Sequence, residues 1–242
     1  MILQKEPKDR IIFPLDFPDI DSARKYIEIL RDNIGLFKVG LELFVKEGPS
    51  ILSIIKKEGR AKIFLDLKFH DITETVKGAM KSANALGAEF ITVHCDEGRR
   101  LLESAVESAS GKTKVLGVTV LTSLSGESLK EIGMREEFQD PLKLVLHRAR
   151  IAKSAGCAGV VCSGLEASFV RKEFGKDFII VTPGIRPSWS VIKNDDQQRI
   201  VTPSDAIKAG ADYIVVGRPI RTAKDPVDAV KRIEKEIEDA LR

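Results

Sequence analysis

The chain has 242 residues, 43% of them hydrophobic, and 39 basic against 36 acidic side chains give a formal net charge of +3. That composition can fill a substantial core and excludes a disordered chain, and the dispersed basic residues leave no clustered stripe for nucleic acid. No apolar run approaches the ~18–20 residues needed to span a bilayer.

Residues 1–10 lack the apolar stretch of a signal peptide. The three cysteines, Cys95, Cys157 and Cys162, are odd in number and form no C-x-x-C pair. Each lies in or beside an apolar segment, as small core residues do in a reducing compartment. A cytoplasmic protein is expected.

Apolar, β-branched runs alternate with amphipathic stretches along the whole chain. The first run, 11–16, ends in Asp16, and helical spacing over 21–33 leads to the second, 36–40, which carries Lys38. A helical stretch over 41–58 precedes the third run, 62–67. Helical spacing over 71–86 then leads to the fourth run, 89–94, which ends in His94. The fifth, 114–120, is followed by Thr122 and Ser123, and the sixth covers 159–162. The seventh, 178–182, runs into Pro183-Gly184-Ile185-Arg186-Pro187, and the eighth, 213–217, into Arg218. In the last helical stretch, 226–241, Val227, Val230, Ile233 and Ile237 recur at steps of three or four with charges on the other face.

Eight βα units in this length average roughly 30 residues each, the arithmetic of a (β/α)8 TIM barrel. Periodicity cannot show closure, so an open doubly wound sheet is the alternative. With no low-complexity segment or linker, one domain over 1–242 is expected. Chemistry in a barrel belongs at strand C-termini, and Asp16, Lys38, Asp66, Lys68, His94, Thr122, Arg186 and Arg218 all fall there.

The stretch Asp66-Leu67-Lys68-Phe69-His70-Asp71 concentrates two carboxylates and a lysine. Strand alternation puts Asp66 and Lys68 on one face and Leu65, Leu67 and Phe69 on the other. Such a pair is either a structural salt bridge or a site that uses the electrostatics. Neighbouring carboxylates hold Lys68 as an ammonium, which favours a proton donor over a Schiff-base amine. Asp71-Ile72-Thr73-Glu74 also resembles a capping box with Asp71 as N-cap.

At the other end of the chain, Gly217 lets a backbone approach an anion, and the Arg218 fork matches phosphate oxygens. With the Pro183–Arg186 segment they suggest a phosphorylated small molecule. The alternative is a plain turn with a surface arginine. The polar segment 187–200, ending in Gln197 and Gln198, reads either as a lid or as a solvated excursion. His70, His94 and His147 make a weak metal signal; no metal and structural histidines are expected.

These motifs, in order and in register from about Ile11 to Ala229, resemble the orotidine 5′-phosphate decarboxylase family. The matching pieces are Leu65-Asp66-Leu67-Lys68-Phe69-His70-Asp71-Ile72, Phe37-Lys38-Val39-Gly40, Val120-Leu121-Thr122-Ser123, Val181-Thr182-Pro183-Gly184-Ile185-Arg186-Pro187, Asp196-Gln197 and Val216-Gly217-Arg218-Pro219-Ile220. Two departures are Thr73-Glu74, where many bacterial relatives have Pro-Asn, and Glu97-Gly98, where they have Gly-Gly. Magnesium-dependent barrels share the Asp-x-Lys-x-x-Asp signature but carry glutamate at the position of Lys38.

The resemblance implies cofactor-free decarboxylation of orotidine 5′-phosphate to uridine 5′-phosphate and CO2, by a catalytic array of Lys38, Asp66, Lys68 and Asp71. It implies a homodimer in which Asp71, Ile72 and Thr75 reach the partner's site. Asp16 would hold the ribose, with Lys38 beside it. Thr122 would meet the pyrimidine, and Pro183, Arg186, Gln197, Gly217 and Arg218 would complete the substrate contacts around the phosphate. A phosphate-ligand-binding protein without turnover is the second reading.

Overall fold

A computed structural model describes residues 6–59, 61–190 and 199–242. Eight parallel strands close into a barrel in sequence order: β1 Ile11–Pro14, β2 Leu36–Val39, β3 Lys62–Phe69, β4 Phe90–His94, β5 Lys114–Val118, β6 Gly159–Val161, β7 Ile179–Thr182 and β8 Tyr213–Val215. The seam is the pairing of Ile11 and Ile12 in β1 with Ile214 and Val215 in β8. Closure therefore decides between the two sheet topologies that periodicity leaves open, in favour of the (β/α)8 barrel.

Two apolar layers hold it. Ile12, Leu36, Phe64, Phe90, Leu116, Val181 and Tyr213 fill the interior. Here Phe90 meets Phe64 and Tyr213 edge-on, at centroid separations of 5.9 and 5.1 Å. A larger layer joins the outer strand faces to the helices, for which Leu30, Met80, Leu102, Ala149, Val170 and Ile233 supply buried side chains. Asp19, Asp140, Ser163, Thr202 and Asp225 cap helices by accepting backbone N–H bonds in the first turn. No described helix is long and apolar enough to cross a membrane.

Several boundaries differ from the sequence reading. The stretch 41–58 is two helices, Leu41–Glu47 and Ser50–Glu58. Gly48 between them takes φ 61, the left-handed region open to glycine, and Pro49 cannot continue the first helix. The helix after β3 is Thr73–Ala85, with Ile72, not Asp71, at its N-cap. The chain stays extended through Ile72 (ψ 153), so the Asp71 carboxylate lies one position too early. It accepts from its neighbour's amide, Ile72 N–H, at 2.7 Å. Asp71 and Glu74 therefore form no capping box.

Candidate active site

Strand alternation above the interior plug builds the site. Lys38, Asp66 and Thr92 stand two residues beyond Leu36, Phe64 and Phe90, and Asp16 four beyond Ile12, so the inner face turns from apolar to polar at the C-terminal mouth. A cavity of ≈ 540 Å³ opens there, bordered by Asp16, Lys38, Asp66, Lys68, Thr122, Pro183, Arg186, Gly217 and Arg218. Nine of the residues expected at the site thus meet in one space.

Lys38 Nζ lies 3.1 Å from Asp16 Oδ1 and 3.5 Å from Asp66 Oδ2, and Lys68 Nζ lies 2.8 Å from the same Asp66 oxygen. The charges alternate along a line, carboxylate, ammonium, carboxylate, ammonium. Burial works against the Lys38 ammonium, but Asp66 and Asp16 outweigh it and raise its pKa. Burial likewise opposes the Asp66 carboxylate, while Lys38, Lys68 and the bonds from Lys68 and Thr92 draw its pKa down. Lys38 and Asp66 thus each favour the charged form of the other.

Asp66 and Lys68 do share a side of the strand, but not by simple alternation. The β3–β4 register shifts between Leu65 and Phe69, and Lys68 takes φ 50, the one non-glycine described with positive φ. That conformation costs on the order of 1–3 kcal/mol and persists where surroundings impose it. Thr92 does so: its Oγ1 accepts from the Lys68 N–H at 2.9 Å and donates to Asp66 Oδ1 at 3.0 Å. Thr92 is fully buried and escaped the sequence reading, because a threonine inside a hydrophobic strand carries no signal of its own. Its place two residues after an interior phenylalanine becomes informative only once the barrel's inside is known.

Gly40 was also missed. A Cβ there would stand 2.9 Å from Lys38 Nζ and 3.3 Å from Asp16 Oδ1, so the bare backbone leaves room for that ion pair. Arg221 and Glu42 border the cavity as well. Asp71, Ile72 and Thr75 are exposed and do not border it. Gln197 lies outside the described residues, as does most of the segment 187–200. Of that segment, Trp189 docks on the last helix, its Nε1 donating to Glu236 Oε1 at 2.8 Å with the Arg232 guanidinium 4.1 Å from its ring centre.

Sequence and fold comparisons converge on one family. The family described as orotidine 5′-phosphate decarboxylase / HUMPS matches residues 9–233. The orotidine 5′-phosphate decarboxylase of Desulfosudis oleivorans is 48% identical over 100% of this chain and 98% of its own. The chain belongs to the orotidine 5′-phosphate decarboxylase family. The Gloeothece citriformis decarboxylase is 44% identical, covering 95% of this chain and 97% of its own. Among solved structures, the orotidine 5′-phosphate decarboxylase of Lactobacillus acidophilus superposes with TM-score 0.80 at 36% identity, over 94% of this chain and 98% of that one. The Pyrococcus horikoshii enzyme gives 0.76 at 27% identity, over 94% and 99%.

Beside the Lys38–Asp66–Lys68 line lies a second polar group. His70 Nε2 is 2.9 Å from Glu97 Oε1, and the His70 and His94 rings are 5.1 Å apart. Asp96 Oδ1 lies 3.4 Å from His94 Nδ1, and Arg148 is 3.7 Å from the other Asp96 oxygen. His147 packs on Phe138 at 4.6 Å, away from this group.

Proposed function

We propose that this protein decarboxylates orotidine 5′-phosphate to uridine 5′-phosphate and CO2, without metal or cofactor, as a cytoplasmic homodimer of one-domain subunits. The observation that carries the reading is the Lys38–Asp66–Lys68 line of alternating charges on the barrel's inner face, with Lys68 held toward the cavity.

Loss of CO2 from C6 leaves an electron pair orthogonal to the ring π system, so the ring cannot delocalise it. A fixed cation at C6 is the remedy the protein can supply, and it needs no reorganisation in the transition state. Lys68 takes that place and then gives its proton to C6. Asp66 and Thr92 fix its side chain and backbone, and Asp66 faces the departing carboxylate. Lys38 balances Asp66 and, with Asp16, faces the ribose. Thr122 meets the pyrimidine edge; Arg186, Gln197, Arg218 and the Gly217 amide hold the phosphate, with Pro183 beside them. Phosphate binding far from C6 supplies energy that orients the reacting group.

Asp71 completes the array from the other subunit, together with Ile72 and Thr75. Two facts support this: the turn does not border its own cavity, and it carries Ile72 at 73% exposure. Leu41 and Val45, after the adjacent strand β2, are 55% and 81% exposed and extend the apolar surface available to a partner.

The metal-dependent relatives need a ligand where this chain has Lys38. An ammonium between two carboxylates occupies that electrostatic role, which favours the metal-free reaction. Incubation with orotidine 5′-phosphate in excess EDTA should give full loss of substrate absorbance. Activity lost on chelation and restored by Mg²⁺ would transfer the chain to the metal-dependent branch. Tight nucleotide binding with no turnover would leave a binding protein.

A further inference from the structure

Arg221 links two loops that the proposed reaction uses separately. It ends the short helix Arg218–Arg221 behind β8 and borders the same cavity as Arg218. Its Nη1 donates to the backbone carbonyl of Asp16 at 2.7 Å, and its guanidinium carbon lies 5.8 Å from the Phe17 ring centre. Its own carbonyl accepts from Tyr26 Oη at 2.9 Å, and the Phe17 and Tyr26 rings stack at 4.9 Å. The arginine is therefore seated against the β1 loop at two points, Asp16 and Phe17, and its carbonyl is held by Tyr26 on the helix Ile20–Leu30 that follows.

Asp16 needs such a support. It lies beyond the end of β1, past the bond from Leu15 N–H to the Lys38 carbonyl (2.8 Å), and its side chain is 52% exposed. From Arg221 a continuous polar path runs to Asp16 by the peptide carbonyl, on to Lys38 (3.1 Å), to Asp66 (3.5 Å) and to Lys68 (2.8 Å).

We propose that Arg221 is a positioning residue that clasps the β1 loop to the β8 loop, holding Asp16 where it meets the ribose and steadies Lys38. Asp16's contact with ribose rests on the decarboxylase reading; the clasp itself rests on the geometry of the two loops. A charge-assisted bond to a carbonyl is directional, so the donor and not the bulk of the side chain sets the position of the loop.

Two variants separate those contributions. Arg221→Met keeps an apolar stem over Phe17 and removes every donor; Arg221→Lys restores one donor. Kinetics with orotidine 5′-phosphate are measured for both, in the native and the Asp16→Asn backgrounds, alongside hydrogen exchange of the peptide spanning residues 15–20. Arg221→Met should lower kcat/KM about tenfold, the usual scale for one bond to a charged donor, and Arg221→Lys should recover most of it. In the Asp16→Asn background the loss should shrink below about threefold, because lesions on one path are not additive. Exchange over residues 15–20 should quicken in Arg221→Met while the strands stay protected. The same loss in both backgrounds, or unaltered exchange in that peptide, overturns the clasp. A native protein that does not consume the substrate overturns the decarboxylase reading instead, and the exchange result then decides the clasp alone.

Discussion

Lys68 brings a cavity-lining side chain and a left-handed backbone to one position. Its φ of 50 is held by Thr92 from the neighbouring strand and by Asp66 two residues earlier, so the ammonium reaches the cavity already oriented. Lys68→Ala removes both the cation and the proton source and should lower kcat/KM by several orders of magnitude with the far-ultraviolet circular dichroism unchanged. Retention within tenfold of the native rate, about 1.4 kcal/mol in barrier, would remove Lys68 from the proton-donor role. The residue types at this site are plain in the sequence because charges at strand ends are costly and conspicuous. Thr92, Gly40 and Arg221 are not, since each acts through a neighbour that the linear order does not disclose.

At the scale of elements, the end of β4 is tied to the helix Pro141–Ser154. Arg148 on that helix is 8% exposed, donates to the Thr119 carbonyl at 2.6 Å and approaches Asp96. Burial raises the Asp96 pKa, but the nearby His94 ring and the Arg148 guanidinium outweigh it, bringing the value from 3.8 to about 2. A carboxyl with a lower pKa folded than unfolded stabilises the fold above the unfolded value and loses that contribution as pH falls through the folded one. Asp96→Asn should therefore lower Tm at pH 7 and flatten the decline of Tm between pH 4 and pH 2, measured by calorimetry. A parallel downward shift at every pH would show that Asp96 acts only by packing. Element existence was legible from apolar periodicity, whereas the break at Gly48–Pro49 and the late start of the helix after β3 were not. Both turn on a single residue's φ and ψ, to which a periodic pattern is insensitive.

At the scale of the molecule, the site is incomplete within one barrel if Asp71 belongs to the array, because its turn is exposed and borders no part of the cavity. In an isologous dimer each subunit lends that turn to the other. Mixing inactive Lys68→Ala with inactive Asp71→Ala under subunit exchange then creates heterodimers with one doubly damaged site and one intact site. Random pairing should restore about a quarter of the native activity. Proven exchange with no recovery would return Asp71 to its own chain.

The sequence by itself determined the kinds of residue available and their order: eight apolar runs, all but the sixth ending in or followed by polar groups of the kind a barrel's mouth requires, and a charge pattern distinctive enough to mark the family. Those features are local, being written in spacing and in residue type. Tertiary structure alone decided that the sheet closes, because closure depends on β1 meeting β8 across about 200 residues of chain, roughly the full eight units of the repeat. It alone decided which alternate side chains face inward, since a one-residue change of register exchanges the two faces. The joining of Asp16, Lys38, Asp66 and Lys68 into one line of charge follows from those two facts, as does the reach of Arg221 from the last loop back to the first.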